Sequence, residues 1–391
     1  MSQRPAVLGN EAVQAHAGQV TVDLSAITDN VGRLRRLSRS SHFMAVVKGN
    51  GYGHGLVSAA RAALDGGADW LGVAQLAEAI ALREAGIAEP ILAWLYLASA
   101  DNEMIERAVA SGIDLSVGSV EQLRAVAGAS RRQGRRAEIH LELDSGLSRG
   151  GARLEDWPEL VEATKQLERQ NVLHSRGAWT HLAWADVPAH SANSASVLDF
   201  ERAVHEAHMA GLGPLTRHVA SSANILDRPD LHFDMVRAGL AMYGLSPADH
   251  INPAAFGLRP ALTVTAPLVL VKRVPAGTGV SYEHRAMTHE SRFLGLVPLG
   301  YADGIPKGIS GHRLVKVGGE LKPVIGKVCM DQFMVDLGPE AGGISVGDTV
   351  ELFGDPSTGA ASADMWGEAI SSHGDEIINR IAPRLVRRYR A

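Results

Sequence analysis

Eight short apolar runs, separated by longer amphipathic segments, constrain the fold of this chain more than any other feature. The segments between the runs carry apolar residues at helical spacing, as at Leu76, Ile80 and Leu82. Short apolar strands that alternate with helices are typical of a parallel sheet covered on both faces. The runs are residues 43–48, 70–74, 91–96, 114–118, 138–144, 176–182, 216–222 and the weaker 234–239.

Eight strand–helix units are enough to close a (β/α)8 barrel, which typically needs about 250 residues. Residues 20–245 match that length. An open doubly wound sheet is the alternative, although such sheets usually contain fewer strands. We therefore predict an α/β fold whose N-terminal part is a (β/α)8 TIM-type barrel, with its chemistry at the carboxyl ends of the strands.

Beyond Tyr243 the sequence pattern changes. A loop with Pro and Gly at 246–260 precedes β-rich runs separated by Gly and Pro turns, and one helical segment follows at 363–373. The β-rich runs are residues 261–274, 292–299, 313–317, 322–328, 333–337 and 348–353. We expect a flexible N-terminal extension at 1–18, the barrel at 19–250 and a C-terminal mainly-β domain at 251–391.

Composition excludes several classes of partner for this chain of 391 residues. The net charge of −5 argues against a nucleic-acid partner, whose binding site requires a strong basic excess. There is no apolar run long enough to span a membrane, and residues 1–18 lack the apolar core of a signal peptide. The single cysteine, Cys329, cannot form an internal disulfide, which fits a cytoplasmic location.

Reactive side chains are concentrated where the predicted strands end. Any one of them could be an ordinary loop residue, but together they would face one barrel mouth. They are Lys48, Asp144, Arg149, His181, Ser221, Ser222 and Arg237.

Lys48 is the most informative of these residues. It closes an apolar strand and precedes four glycines at alternate positions, Gly49 to Gly55. A nucleotide-binding P-loop has its lysine after the glycines, and a Rossmann fingerprint has different glycine spacing, so neither fits. A buried ammonium group is costly, whereas a lysine that forms an imine with an aldehyde cofactor has a use there.

The sequence AVVKGNGYGHG (residues 45–55) resembles the cofactor-lysine signature of the alanine racemase family. Seven further blocks resemble the family in the same order, so the resemblance covers roughly residues 19–390. These blocks are ELDSGLSRGG (142–151), THLAWAD (180–186), HVASSAN (218–224), MVRAGLAMYG (235–244), GVSYEH (279–284), GYADGIPK (300–307) and GKVCMDQFMVDLG (326–338).

The resemblance implies pyridoxal 5′-phosphate (PLP) as cofactor and a homodimer with shared active sites. Lys48 would bind PLP through an imine and act as the base on one face of the substrate, and Tyr282 of the partner subunit would be the base on the other. Further implied contacts are Tyr52, Ser222, Gly239 and Leu240 at the phosphate, Arg237 at the pyridine nitrogen, His181 near the ring, Arg149 and the partner's Met330 amide at the substrate carboxylate, and Tyr301 at the entrance.

The implied activity is the interconversion of L-alanine and D-alanine (EC 5.1.1.1), which supplies D-alanine for peptidoglycan. Two bases on opposite faces of the α-carbon perform this reaction most simply. Arginine gives up no proton readily, so Arg237 would leave the pyridine nitrogen unprotonated and limit leakage into transamination.

Three alternatives remain open. A racemase of the same fold could act on serine, lysine or a broad set of amino acids. A fold-III PLP decarboxylase shares the barrel but lacks the blocks around Tyr282 and Met330. A non-catalytic PLP-binding protein is usually a barrel alone, without a β domain.

Several residues depart from the family pattern. Glu142 stands where the family often has a lysine that can carry a carbamate, and we expect it to pair with Arg149 in place of that anion. Ser148 and Ser221 replace residues beside the site and could shift substrate preference. Gly49 and Gly51 replace common alanines, with no chemical effect expected.

No metal is expected, because His205 and His208 are three residues apart with no zincin-type spacing. Cys329 is interpreted as a packing residue rather than a nucleophile.

Overall fold

The eight predicted runs form the eight strands of one parallel sheet in a computed structural model that describes residues 18–391. The expected N-terminal extension at 1–18 lies outside the described residues except for Gly18. The strands are β2 (His42–Val46), β3 (Trp70–Gln75), β4 (Ile91–Leu95), β5 (Asp114–Val117), β6 (Ala137–Glu142), β7 (Leu173–Trp179), β8 (Thr216–His218) and β9 (Met235–Ala238).

Helices follow the strands, as the sequence pattern predicts. They are α1 (Leu24–Leu37), α2 (Leu56–Asp65), α3 (Leu76–Glu84), α4 (Asn102–Ala110), α5 (Val120–Gln133), α6 (Trp157–Arg169), α7 (Ser191–Ala210) and α8 (Ser222–Asp227). Strand β2 pairs with β3 on one side and with β9 on the other. The Asp234 and Arg237 amides donate to the Arg217 and Ala220 carbonyls at 3.1 and 3.0 Å, which joins β9 to the end of the sheet at β8. The predicted α/β fold with a TIM-type barrel is confirmed.

Large apolar side chains fill part of the barrel unit. Met44, Trp70, Leu92 and Met235 form one buried cluster, one residue from each of four strands. Gly72 leaves room for it, because a Cβ there would lie 2.7 Å from the Met44 sulfur. This packing fixes the strands whose carboxyl ends carry the predicted site.

The described part of the chain divides into two compact units, Ile27–Leu258 and residues 18–26 with Arg259–Ala391. The second unit is built on a nine-stranded sheet in the order β11-β14-β17-β16-β15-β18-β10-β1-β19, with a separate β12–β13 pair. Its elements are β1 (Gln19–Asp23), β10 (Leu262–Pro267), β11 (Leu270–Val274), β12 (Gly279–Val280), β13 (Ala286–Met287), β14 (Arg292–Val297), β15 (Arg313–Val317), β16 (Glu320–Ile325), β17 (Phe333–Gly338), β18 (Thr349–Phe353), α9 (Ala363–Ala369), α10 (Gly374–Asn379) and β19 (Val386–Arg390).

The domain limits differ from those expected at 19–250 and 251–391. Strand β1 falls within the expected barrel range, but it pairs antiparallel with β10 and parallel with β19. Residues 19–26 therefore belong to the β-rich unit, and residues 251–258 belong to the barrel unit. Within residues 18–391, no helix is long and apolar enough to cross a membrane.

Asp23 anchors strand β1 at the start of α1. Its carboxylate accepts hydrogen bonds from Ser25, from the Ala26 amide and from the guanidinium groups of Arg259 and Arg390, at 2.6–3.0 Å. Burial alone would raise the pKa of Asp23, but these hydrogen bonds and the Arg259 charge lower it to about 2. The charged form is therefore favoured in the folded state.

We expect the stabilisation from the Asp23 charge to disappear in acid. The folded pKa is depressed, so the contribution is complete above the ordinary pKa and is lost as the pH falls through about 4 to 2. It amounts to about 2 kcal/mol at neutral pH. Asp23→Asn keeps a good helix cap and removes the charge. Urea midpoints of both proteins should differ clearly at pH 6 and converge only as the pH approaches about 2. A constant difference at both pH values would contradict this assignment.

Candidate functional site

Lys48 lies at the carboxyl end of β2, at the start of a left-handed turn. All five residues 49–53 have positive φ, between 49° and 79°. The Gly51 and Gly53 amides donate to the Val47 and Gly49 carbonyls at 2.8 and 2.9 Å, which closes the turn. Left-handed backbone costs an ordinary L-residue roughly 1–2 kcal/mol, so the glycines ease a conformation that the site requires.

Tyr52 and Ser222 flank a close backbone approach at Gly239. The Ser222 hydroxyl oxygen accepts hydrogen bonds from the Gly239 and Ala241 amides at 2.9 and 3.3 Å. A Cβ on Gly239 would lie 2.7 Å from the Tyr52 hydroxyl. Leu240 begins the next turn of 3-10 helix. Two hydroxyls and the start of two helical turns therefore meet here, a combination that suits an anion.

The Tyr52 ring is held from behind by Tyr243. Their ring centroids are 5.0 Å apart, and His54 stacks on Tyr243 at 4.4 Å. The Tyr243 hydroxyl donates to the Val46 carbonyl at 3.3 Å, and burial raises the pKa of Tyr243 well above its usual range. His54 is therefore a packing residue in this aromatic stack.

Arg237 is a buried cation on β9. Its Nη1 donates to the His218 carbonyl at 2.7 Å, and its Nη2 donates to the Thr180 and Val219 carbonyls at 2.9 and 3.1 Å. The Nη2 group also lies 3.1 Å from Nδ1 of His181. Burial lowers the pKa of Arg237 to about 9, so the group stays cationic at neutral pH. Among residues 18–391 no hydrogen bond to the Nε–H group is found, so this donor remains available to a ligand.

A line of buried polar side chains connects Arg237 to Asp114. Nη1 of Arg237 lies 3.3 Å from Nδ1 of His218, Nε2 of His218 lies 2.9 Å from Nδ1 of His140, and Nε2 of His140 lies 3.2 Å from Oδ2 of Asp114. The Asp114 carboxylate only accepts, so we assign the proton of His140 to Nε2, which donates to it. Nδ1 of His140 then accepts, so the proton of His218 is assigned to Nε2. Nδ1 of His218 then carries no proton and accepts a hydrogen bond from Nη1 of Arg237.

This line ends in a second cation, Arg176, whose Nη1 lies 3.3 Å from Asp114. Gly177 makes room for the His140 ring, because a Cβ on Gly177 would lie 2.4 Å from that ring. Burial, His140 and Arg237 hold the pKa of His218 well below its usual range. His218 therefore stays neutral in the line that joins the buried Arg237 cation to the buried Asp114 carboxylate.

His181 is neutral as well. Burial, together with the positive charges of Arg237, Arg149 and Lys48, lowers its pKa to about 3. Three cations thus surround this imidazole at the carboxyl ends of β2, β6 and β9. Such a field favours negative ligands and lowers the pKa of any amine within it.

Arg149 lies on an exposed loop that follows β6. The loop is built by Asp144, whose carboxylate accepts from the Gly146 and Ser148 amides at 3.0 Å each. Ser148 has φ of 56°, a conformation that Gly or Asn adopts more readily. The departure at Ser148 therefore places backbone strain directly before Arg149.

Glu142 lies beneath this loop, since a Cβ on Gly150 would lie 2.9 Å from its carboxylate. The carboxylate accepts from the Ser116 hydroxyl at 3.0 Å, and no ion pair joins it to Arg149. Burial raises the pKa of Glu142, while Ser116, Arg149 and Arg237 lower it. The expected direct pair is thus absent, and Glu142 acts on Arg149 only through its charge.

Tyr282, Tyr301 and Met330 come together within the β-rich unit. The Tyr301 amide donates to the Cys329 carbonyl at 3.0 Å, and the Ala302 amide donates to the Met330 carbonyl at 2.9 Å. The residue before Tyr282, Ser281, contacts this same segment through Cys329. The side chains remain open to solvent in the single chain, with Tyr282 69% exposed, Met330 54% and Tyr301 41%.

Sequence reasoning located the residues at the strand ends but missed the relay. Asp114, His140 and His218 lie in three different strands, and the local pattern of each strand gives no sign that the three side chains meet. Their shared signal was polarity inside strands that should be buried on both faces.

Comparisons with known proteins agree with this geometry. Residues 22–247 match the family description "Alanine racemase, N-terminal domain", and residues 261–389 match "Alanine racemase, C-terminal domain". The chain is 47% identical to an alanine racemase of Salinispora tropica, over 95% of this chain and 97% of that protein, and 44% identical to one of Thermobifida fusca over the same shares.

Solved structures give the same result. The crystal structure of alanine racemase from D-cycloserine producing Streptomyces lavendulae superposes with a TM-score of 0.93 at 41% identity, over 97% of this chain and 98% of that one. Alanine racemase from Streptomyces coelicolor superposes with a TM-score of 0.92 at 42% identity, over 95% and 98%.

Two glycine substitutions should change stability in opposite directions. Gly49→Ala puts a Cβ on a residue with φ of 63°, and we expect it to lower the free energy of unfolding by about 1 kcal/mol. Gly32→Ala, within α1, brings its Cβ to ordinary contact distances of 3.5 and 3.6 Å and should raise stability by roughly 0.5–1 kcal/mol. Urea unfolding measures both; a Gly49→Ala protein as stable as Gly32→Ala would disprove the left-handed turn.

Proposed function

This chain belongs to the alanine racemase family and interconverts L-alanine and D-alanine, and from this premise we propose that Lys48 and Tyr282 are the two groups that exchange the α-proton. It is an isomerase, EC 5.1.1.1. The observation that carries the proposal is the convergence of Lys48, Ser222 and Arg237 at the carboxyl ends of three barrel strands. Each offers a different contact, respectively an amine, a hydroxyl and a guanidinium group.

We propose PLP as the cofactor, because the residues present suit each part of it. Tyr52, Ser222 and the backbone at Gly239 and Leu240 would hold the phosphate, where a Cβ on Gly239 would fill the space. The buried Nε–H of Arg237 would donate to the pyridine nitrogen, and neutral His181 would pack near the ring. When bound to the substrate amino group, PLP spreads the negative charge that forms at the α-carbon.

Lys48 would hold the cofactor and then move a proton at its Nζ. The positive charges of Arg149 and Arg237 favour the neutral amine, which is the form that accepts a proton. His181, whose pKa is about 3, stays neutral at neutral pH and therefore does not compete with Lys48 for the proton.

Tyr282 would act on the opposite face, donated by the partner subunit of a homodimer. Its exposure in the single chain supports this assignment, as does the exposure of Met330 and Tyr301 in the same cluster. The Met330 amide and Arg149 would bind the substrate carboxylate, Arg149 would also contact the cofactor's phenolic oxygen, and Tyr301 would narrow the entrance. A tyrosine at this position needs the cationic field to lower its pKa from about 10.

Arg237 would keep the pyridine nitrogen unprotonated. It is cationic at neutral pH, and the hydrogens of its two terminal nitrogens are committed to three carbonyls and to His218. A ring without that proton withdraws charge less strongly, which limits side reactions of the substrate. The relay to Asp114 supports the arginine in this charge state.

The enzyme would act in the cytoplasm, and its product, D-alanine, would be used for peptidoglycan synthesis. Serine, lysine or a broader set of amino acids remains the alternative to strict alanine specificity, and Tyr301 is the side chain that would restrict it.

Incubation with L-alanine in D₂O tests the function directly. We expect D-alanine that carries deuterium at the α-carbon, because the proton returned to the opposite face comes from a solvent-exchanged group. Chiral chromatography and proton NMR measure both changes. Repeating the incubation with L-serine and L-lysine reports substrate breadth, and inversion of serine as fast as alanine would favour the broader alternative.

Two substitutions separate the roles of Lys48 and Tyr282. Lys48→Ala should abolish racemisation and the absorbance band of the PLP imine. Tyr282→Phe should keep that band and slow inversion by roughly 100-fold or more, while α-hydrogen exchange continues from the Lys48 face. Lys165→Ala, on the barrel-unit helix α6, is the control and should leave both readouts unchanged. Full racemisation by Tyr282→Phe would remove the two-base assignment.

Glu142→Gln tests whether the buried carboxylate supports Arg149. The change removes the charge and keeps the size, so we expect the KM for alanine to rise by roughly 3- to 10-fold with a smaller change in kcat. Glu138→Gln, on the same strand but paired with Arg136 and His174, is the matched control. Equal KM values for Glu142→Gln and the unaltered enzyme would exclude this role.

A further inference from the structure

Ser281, the residue before Tyr282, has an unusual backbone conformation. Its φ and ψ angles are 62° and −170°, a region that is occupied almost only by glycine. Glu283 and His284, which follow Tyr282, also have positive φ, of 60° and 45°. Three strained non-glycine residues therefore lie close to one tyrosine. Glycine would adopt the conformation at 281 without strain, so we expect the serine side chain to make a contact that glycine cannot make.

The Ser281 hydroxyl gives that reason. It donates to the Lys327 carbonyl at 2.7 Å and lies 3.7 Å from the Cys329 sulfur. Gly326 packs against it, because a Cβ there would lie 2.8 Å from the Ser281 Cβ. An ion pair of 2.7 Å between Lys327 and Glu283 adds a second contact, but Glu283 is 70% exposed, so solvent weakens that pair.

The segment that Ser281 contacts leads directly to Met330. It is fixed in turn to the Tyr301 turn by the two backbone hydrogen bonds already described. Arg384 ties the same parts together, since it donates to Asp303 at 2.6 Å and to Asp331 at 2.8 Å. The loop of Tyr282 is therefore joined, through one serine hydroxyl, to a braced segment.

We propose that Ser281 is a positioning residue that fixes the Tyr282 phenol relative to the Met330 amide. The inference rests on the proposed roles of Tyr282 as a base and of Met330 as a carboxylate contact. A substrate held at its carboxylate presents its α-carbon at a set distance from that amide. The phenol reaches that carbon reproducibly only if its loop cannot move against the segment that carries Met330.

Ser281→Gly removes the hydroxyl and also relieves the backbone strain, so any loss of activity cannot come from lower stability. Glycine fits the backbone angles, so the melting temperature should equal or exceed that of the unaltered enzyme. The value of kcat/KM should fall by about 10- to 100-fold. The fall must be equal in both directions, because two enantiomers have an equilibrium constant of one. In D₂O, the ratio of deuterium incorporation without inversion to racemisation should rise for the enantiomer whose α-hydrogen faces Lys48.

Two further variants complete the test. Ser281→Ala removes the hydroxyl but keeps the strain, so it should show the same raised exchange ratio together with a lower melting temperature. Glu283→Gly relieves a neighbouring strained residue and removes the exposed ion pair, and it should keep kcat/KM and the exchange ratio of the unaltered enzyme. The inference is overturned if Ser281→Gly keeps kcat/KM within about twofold, or if Glu283→Gly shows the same loss as Ser281→Gly.

The Tyr282→Phe protein in the same assay separates this inference from the function on which it rests. If Tyr282→Phe racemises normally, the role of Tyr282 fails. If Tyr282→Phe loses inversion while Ser281→Gly retains it, only the role of Ser281 fails.

Discussion

A single buried cation determines much of the barrel's interior. The Arg237 guanidinium cannot be left without partners in a low-dielectric core, and water is largely excluded from it. Its hydrogen bonds reach the carbonyls of Thr180, His218 and Val219, which follow or end strands β7 and β8. The same interactions that solvate the charge therefore add to the backbone hydrogen bonds that hold β9 against the end of the sheet, so one side chain contributes to both barrel closure and site construction.

The relay extends this compensation across the barrel. His218 lies on β8, His140 on β6 and Asp114 on β5, so the positive charge on β9 is connected to a carboxylate several strands away. Because His218 stays neutral, it has a fixed tautomer and a fixed ring orientation. Removing any member would leave a buried donor or acceptor without a partner, which costs more than the hydrogen bond itself contributes.

Sequence reasoning recovered the local features and missed the long-range ones. Apolar runs with helical segments between them indicate parallel strands because burial on both faces demands such composition, and the strand ends followed from that fold. Strand β1 was assigned to the wrong unit, because its partners β10 and β19 lie more than two hundred residues away and pairing across that distance leaves no mark in the local pattern. The left-handed turn after Lys48 was half visible: the glycines at 49 and 51 indicated close backbone approach, but nothing in the sequence showed that Asn50 and Tyr52 share their positive φ.

Three of the residues proposed to act on the substrate share one structural property that their sequence motifs do not reveal. Lys48 opens a left-handed turn, Arg149 follows Ser148 at φ of 56°, and Tyr282 follows Ser281 in a region favoured by glycine. Strained backbone of this kind persists only where the surroundings hold it in place. The strain lowers the stability of the whole fold, whereas its effect on the site is local. A side chain next to a backbone that is held in this way has few alternative directions in which to point. Glycine relaxes this strain at 49 and 51, in the turn that directly follows Lys48. Serine keeps it at 281, where the hydroxyl also makes a hydrogen bond, so the choice between the two residue types follows from whether the side chain has a partner.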